Sequence, residues 1–99
     1  MKTLIVGTLT EAMPIEVKDS YKKQQITIIV QGYDSYTGQP LKREVFQPVI
    51  FNKHIDSCRA KDLVGKRIVA TCWVRSYEVT RDDKTFYNLN LNCSEIKEA

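Results

Sequence analysis

KRIVATCWVRSYEV, residues 66–79, reads as one long β-strand. It is rich in β-branched and aromatic residues and holds neither Gly nor Pro. Alternation divides it into two faces. Ile68, Ala70, Cys72 and Val74 form a small apolar face suited to a core, and Val69, Thr71, Trp73, Arg75 and Tyr77 form the other. At strand rise, Trp73, Arg75 and Tyr77 stand in a row about 6.5–7 Å apart. Aromatic, cation, aromatic is what a surface needs to stack bases and neutralise phosphate. The more ordinary use of such rings is to bury a second apolar face or a subunit contact, and on this strand alone that reading comes first.

On its N-terminal side, NKHIDSCRAKDLV, residues 52–64, is the one good helix candidate, with Asn52 to cap its start and Gly65 to close its end. The apolar stripe (Ile55, Cys58 or Arg59, Leu63) is thin, which predicts a short helix plugging one end of a larger body. His54 falls in its first turn and is expected to be exposed and free of metal. On the C-terminal side, TRDDKT, residues 80–85, reads as a hairpin loop whose charges cancel, and residues 86–96 as the last strand. Tyr87, Leu89, Leu91 and Cys93 face one way along it. Phe86, Asn88, Asn90 and Asn92 face the other, so that outer face is wet.

Further out, residues 3–15, TLIVGTLTEAMPI, read as the first strand. Gly7 inside it predicts a bulge or a sharp bend, and Pro14 ends regular pairing. Residues 16–24, EVKDSYKKQ, form a polar connector with Lys18, Lys22 and Lys23 around Tyr21. It is either a solvated loop or a mobile basic arm with one stacking ring. Residues 25–34 are the second strand, with Ile26, Ile28 and Val30 on one face and Thr27, Ile29, Gln31 and Tyr33 on the other. SYTGQP, residues 35–40, is turn chemistry. Residues 41–51 return antiparallel, with Val45, Gln47, Val49 and Phe51 on one face and Phe46 and Ile50 on the other. Pro48 within that strand implies an edge, a bulge or a bend.

Three strands, a short helix and two strands predict an all-β chain: a five-stranded OB-fold, a partly open Greek-key barrel with its helix between strands three and four. The 99 residues suffice for one domain over the whole chain with one modest core. Apolar and charged contents of 42% and 27% describe a folded globular chain. No apolar run approaches the roughly 20 residues of a membrane span. The run Leu4 to Val6 is too short for a signal sequence, so a cytoplasmic protein off the membrane is expected. Cys58, Cys72 and Cys93 lack CxxC spacing, and His54 adds no zinc pattern. They read as reduced, buried thiols, with no metal and no cofactor. A net charge of +3 permits an anionic partner without requiring one. With no nucleophile beside a base, no phosphate loop and no paired carboxylates, no reaction suggests itself and the chain reads as a non-enzyme.

Several segments together carry a resemblance. LIVGTLTEAMPIE resembles the opening strand of bacterial single-stranded-DNA-binding proteins: an apolar triplet, Gly, x, Leu, then a polar step to Pro. The YTG turn and VIFNK at the end of the third strand are similar to the same family. DLVGKRIVATCWVRSYEV resembles its helix end, Gly turn and fourth strand, Arg75 included. The resemblance covers about residues 3–93 in five segments, and their order and spacing are more specific than any one of them. Small OB families of unknown function related to this group are also similar, in SYKKQQITI particularly.

By position, the resemblance implies that Tyr33 and Phe51 occupy base-stacking sites. Two further sites where the family commonly carries a ring are aliphatic here, Val45 and Val79. Stacking contributes about 1–3 kcal/mol per base, so two lost platforms would weaken binding by several powers of ten. The binding surface of the barrel lies over strands two and three and the loops joining strands 1–2 and 4–5. That surface adds Lys22, Lys23, Arg43, Arg81 and Lys84 to Arg75 as phosphate contacts, and Trp73 and Tyr77 as further rings. The implied function is sequence-tolerant binding of single-stranded DNA, with RNA left open, by a homodimer or homotetramer serving replication or repair. The flexible acidic tail by which replication members of the family often recruit partners is expected to be absent after Ala99. The lost rings and the balanced charge of residues 80–85 support the alternative, an OB-fold interaction or oligomerisation module that binds no nucleic acid.

Overall fold

The computed structural model describes residues 1–99. Its strands are β1 (Lys2–Ala12), β2 (Glu16–Val17), β3 (Lys22–Val30), β4 (Glu44–Phe46), β5 (Val49–Phe51), β6 (Arg67–Arg81) and β7 (Lys84–Glu98). One short helix, α1 (Lys53–Cys58), lies between β5 and β6. Since β4 and β5 are halves of one expected strand and β2 is a two-residue addition, the strand order is the OB-fold order. No helix is long and apolar enough to cross a membrane.

Pairing runs β1–β6–β7–β5–β3 and returns from β3 to β1, so the sheet closes on itself. Every pair is antiparallel except β5 with β7. Closure puts the double burden on β1. Residues 2–8 pair with β6, and residues 8–12 pair with β3. A strand that serves both edges must coil, and Gly7 sits just before the change of partner at Thr8. A Cβ there would stand 2.5 Å from the Ile29 carbonyl oxygen. Gly7 is thus a point of close backbone approach, and the bulge comes three residues later, where the register with β3 skips Thr10.

The core is built from the inward positions of these strands. Ile5, Leu9, Ile26, Ile28, Ile50, Ile68, Ala70 and Cys72 are buried, and Ile55 and Cys58 of α1 cover one end. A second bulge shapes the last strand. Thr71 faces Glu95 while Cys72 faces Cys93, which leaves Ser94 as the extra residue. The parity of β7 reverses there, so Cys93 and Ile96 both point inward. The three cysteines are free and buried, as expected. Hydrogen bonding to Cys93, then burial, pushes the Cys58 thiol above its ordinary range. Cys93 is drawn down by Cys58 but raised further by Cys72 and burial, to about 12.

Several boundaries differ from the sequence expectations, each for a local reason. The helix expected over residues 52–64 stops at Cys58, because Arg59 takes a left-handed φ of 47° and a 3₁₀ turn, Ala60–Leu63, follows. Asn52 is not a side-chain cap. Its Oδ1 instead accepts the Lys22 N–H at 3.0 Å and ties the helix start to β3. Pro48 splits the third strand, having no N–H for the ladder, yet it is buried and its carbonyl accepts the Ile26 N–H at 3.1 Å.

The expected connector at residues 16–24 is a hairpin, since Glu16 and Val17 pair with Lys23 and Lys22. The second strand therefore begins at Lys22 and ends at Val30, not at residues 25 and 34. Residues 80–85 are the expected hairpin, with a loop of only two residues. Arg81 pairs with Lys84 across Asp82 and Asp83, whose φ values of 49° and 63° make a two-residue turn of the type that matches strand twist.

Beyond Val74 and Leu91, β6 and β7 pair only with each other, so residues 75–90 project as a two-stranded ribbon. The chain is correspondingly long, 50 × 35 × 21 Å, with a radius of gyration of 15.7 Å. A compact domain of this length would have about 13 Å.

Gly7→Ala is expected to destabilise the barrel by about 1–3 kcal/mol, the cost of forcing side-chain atoms into a packed site. Urea unfolding would read this as a lower midpoint at unchanged slope.

Candidate nucleic-acid interface

Outward positions of the barrel strands form one surface. Across it run Gln25 of β3, Val49 of β5, Asn92 of β7 and Trp73 of β6, linked by register. The expected site residues fall on or near this surface in three groups.

The first group stands at the helix end. Lys23 lies opposite Phe51 on the outer face. Tyr21, brought up by the β2–β3 hairpin, packs against Phe51 with ring centroids 5.9 Å apart at 57°. Lys23 Nζ is 3.5 Å from Glu16 Oε2, so part of its charge is already answered. Lys22 is the exception among the expected contacts. Alternation turns it to the other side of β3 from Lys23 and Phe51, and its N–H is the one that Asn52 accepts.

The second group lies where β1 meets β3. Tyr33, 64% exposed, and Arg43 line a shallow cavity of about 490 Å³ with Thr8, Ile29 and Arg67. Arg67, which opens β6, is a cation that the sequence reading passed over. Tyr33 is braced by a bridge to Pro40. The turn between them is held by Asp34, whose Oδ1 accepts the N–H groups of Tyr36 at 2.8 Å and Thr37 at 3.0 Å. Those bonds, Thr37 first, hold the Asp34 carboxyl below its ordinary pKa.

The ribbon holds the third and largest group. On one face stand Trp73, Arg75, Tyr77, Val79 and Arg81 of β6, opposite Asn92, Asn90, Asn88, Phe86 and Lys84 of β7. Trp73 Nε1 donates to Ser94 Oγ at 3.4 Å, which orients the indole. The opposite face carries Val74, Ser76, Glu78 and Thr80 with Leu91, Leu89, Tyr87 and Thr85. Parity thus separates the charges. Arg75, Arg81 and Lys84 share the ring-bearing face, Glu78 lies behind it, and Asp82 and Asp83 sit in the turn.

Phe86 is the ring that the sequence reading missed. It stands directly opposite Val79, at the level where the resemblance to the family predicts an aromatic, and is 51% exposed. The signal lay in the pairing of two strands, which requires the two-residue turn to be placed first. No such substitute stands opposite Val45, whose partner is Ile29.

No protein-family model matches this sequence, and no curated protein matches it. Solved structures do match in three dimensions. A small single-stranded DNA-binding protein from Streptomyces coelicolor superposes with a TM-score of 0.64 at 11% identity, covering 100% of this chain and 94% of that one. The fold is that of the single-stranded DNA-binding proteins. A mitochondrial single-stranded DNA-binding protein of S. cerevisiae gives 0.65 at 17% identity, covering 99% and 93%. The Plasmodium falciparum single-stranded DNA-binding protein in complex with single-stranded DNA gives 0.62 at 13% identity, covering 95% and 86%. The single-stranded DNA-binding protein fold therefore extends over the whole chain, ribbon included.

Because the Asp34 pKa is lowered on folding, its contribution to the turn is complete above the unfolded value of about 4 and is lost as pH falls through the lowered folded value. The protection of the Tyr36 and Thr37 amides, taken relative to free-peptide exchange at each pH, should fall over that acid range. In Asp34→Asn that change in protection should vanish.

Proposed function

We propose that this chain binds single-stranded DNA without regard to sequence, as a single OB domain that is a binding protein rather than an enzyme. The observation that carries the reading is one ribbon face, where Trp73, Tyr77 and Phe86 share a side with Arg75, Arg81 and Lys84 while Glu78 and Tyr87 stand on the other. Unpaired bases stack on Trp73, Tyr77 and Phe86, and on Tyr33 and Phe51 over the barrel. Phosphates are met by Lys23, Arg43, Arg75, Arg81 and Lys84, and Arg67 joins Arg43. The matching fold of three proteins named for single-stranded DNA, one of them with the DNA bound, supports the same reading. We further propose a role in the maintenance of DNA in the cytoplasm, and the same titration with oligo-U in place of oligo-dT tests RNA.

Addition of oligo-dT at low salt should quench Trp73 emission. Each phosphate neutralised on a single strand contributes about −0.7 to the slope of log K against log salt. The slope should therefore be near −3 to −4, and R81A/K84A should make it shallower by about 1.4 units. An absence of binding at low salt, or a binding constant indifferent to salt, would remove the proposal.

We also propose that the protein is a homodimer, built on the free edge of β1. Residues 2–7 pair with β6 on one side, and β3 takes only residues 8–12 on the other. Leu4 is 60% exposed beside this edge, and Val6 is exposed with it. An unpaired edge flanked by apolar side chains is a template for another strand, and two copies of β1 can pair antiparallel about a two-fold axis. Sedimentation equilibrium should return twice the chain mass of 11.4 kDa. Leu4→Lys should return the single mass with the strand content unchanged.

A further inference from the structure

Asn88, Asn90 and Asn92 break a local rule. Asparagine is depleted in strands, yet three occur at alternate positions of β7, all on the ring-bearing face. Other amides of this chain bond back to it. Gln24 donates to the Met13 carbonyl, Gln31 to the Gly32 and Leu41 carbonyls, and Asn52 accepts the Lys22 N–H. On the ribbon the one side-chain hydrogen bond at this face is Trp73 to Ser94. The asparagine row therefore forgoes strand propensity with no internal hydrogen bond to offset it. Such local conflicts concentrate at functional surfaces.

Their placement says what they would meet. Register sets Tyr77 opposite Asn88, Arg75 opposite Asn90 and Trp73 opposite Asn92. Directly opposed residues have Cβ atoms about 4.5–5.5 Å apart. A base lying on the Tyr77 ring extends past its rim toward β7, and its edge comes over Asn88 and Asn90.

We infer that Asn88 and Asn90 bond the Watson–Crick edges of bases held on the ribbon and so make this surface selective for unpaired strands. A carboxamide offers a carbonyl acceptor beside an N–H donor. Each base presents the matching pair on its pairing edge: N6–H and N1 in adenine, N4–H and N3 in cytosine, N3–H and O4 in thymine, N1–H and O6 in guanine. A rotating amide satisfies all four, so the contact tolerates any sequence. In a duplex these groups are already paired, so the contact is denied there. The row thereby offsets part of what the aliphatic Val45 forgoes in stacking. The inference rests on the nucleic-acid reading above and assigns that site its specificity-determining residues.

The test compares oligo-dT with an oligomer of N3-methylthymidine of equal length. Methylation removes the N3–H donor and leaves the ring face and the phosphates in place. The full wild-type chain should bind the methylated strand about tenfold more weakly, the scale of one lost hydrogen bond. N88T/N90T, which suits a strand better than the wild type, should bind oligo-dT more weakly, treat the two oligomers alike and keep the wild-type salt slope. Equal wild-type affinity for the two strands would overturn the inference and leave stacking and phosphate contacts intact. Discrimination retained by N88T/N90T would also overturn it. Failure to bind either strand would overturn the nucleic-acid reading, and this inference with it.

Discussion

The barrel depends on β1 being shared between two edges, and that sharing depends on the missing side chain at Gly7. In this barrel β1 leaves β6 as it gains β3, and its backbone then runs close to the strand it is joining. The Ile29 carbonyl fills the space that a Cβ at Gly7 would take. The bulge at Thr10 completes the turn by which β1 settles against β3. Closing the ring in this way buries Ile5, Leu9, Ile26, Ile28, Ile50 and Ile68 within a chain of only 99 residues. It also leaves residues 2–7 bonded on one side only, so the feature that closes the barrel creates a free strand edge.

Much of the fold was legible because its strands obey a simple period. The faces of β6 and of β3 follow alternation, which puts Ile68, Ala70, Cys72, Ile26 and Ile28 in the core and leaves Val74 and Val30 half-buried at its margin. Pro48 was legible as a disturbance because a residue without an N–H has few places in a ladder. What alternation cannot register is an inserted residue. Ser94 reverses the parity of β7, so Cys93 and Ile96 are both inward although three positions apart. The helix was read too long because Arg59 adopts a left-handed conformation that its side chain does not advertise. The hairpin loop was read too long for the same reason, since Asp82 and Asp83 both lie at positive φ and alone make the turn.

The site was legible as residue types and partly illegible as an arrangement. Trp73, Arg75 and Tyr77 share a face by period alone. That Arg81 and Lys84 join them, and that Asp82 and Asp83 do not, follows from where the turn falls. A charge balance taken over residues 80–85 gives zero and hides this, because the cations lie on paired strand positions and the acids at the reversal. Phe86 shows the same limit. It stands opposite the aliphatic Val79, which only a cross-strand register reveals. Lys22 is the converse case, close in sequence to Lys23 and Phe51 but turned away from them by one step of the pleat.

The ribbon is fastened to the barrel at one end only, and this has a mechanical consequence. A cantilever flexes most at its root, here the level of Val74 and Leu91, while its tip keeps its own internal geometry through the cross-strand bonds. From Asn92 to Lys84 it reaches about 27 Å at strand rise. A small rotation at the root therefore sweeps Arg81 and Lys84 through several ångströms without disturbing the order of rings and amides between them.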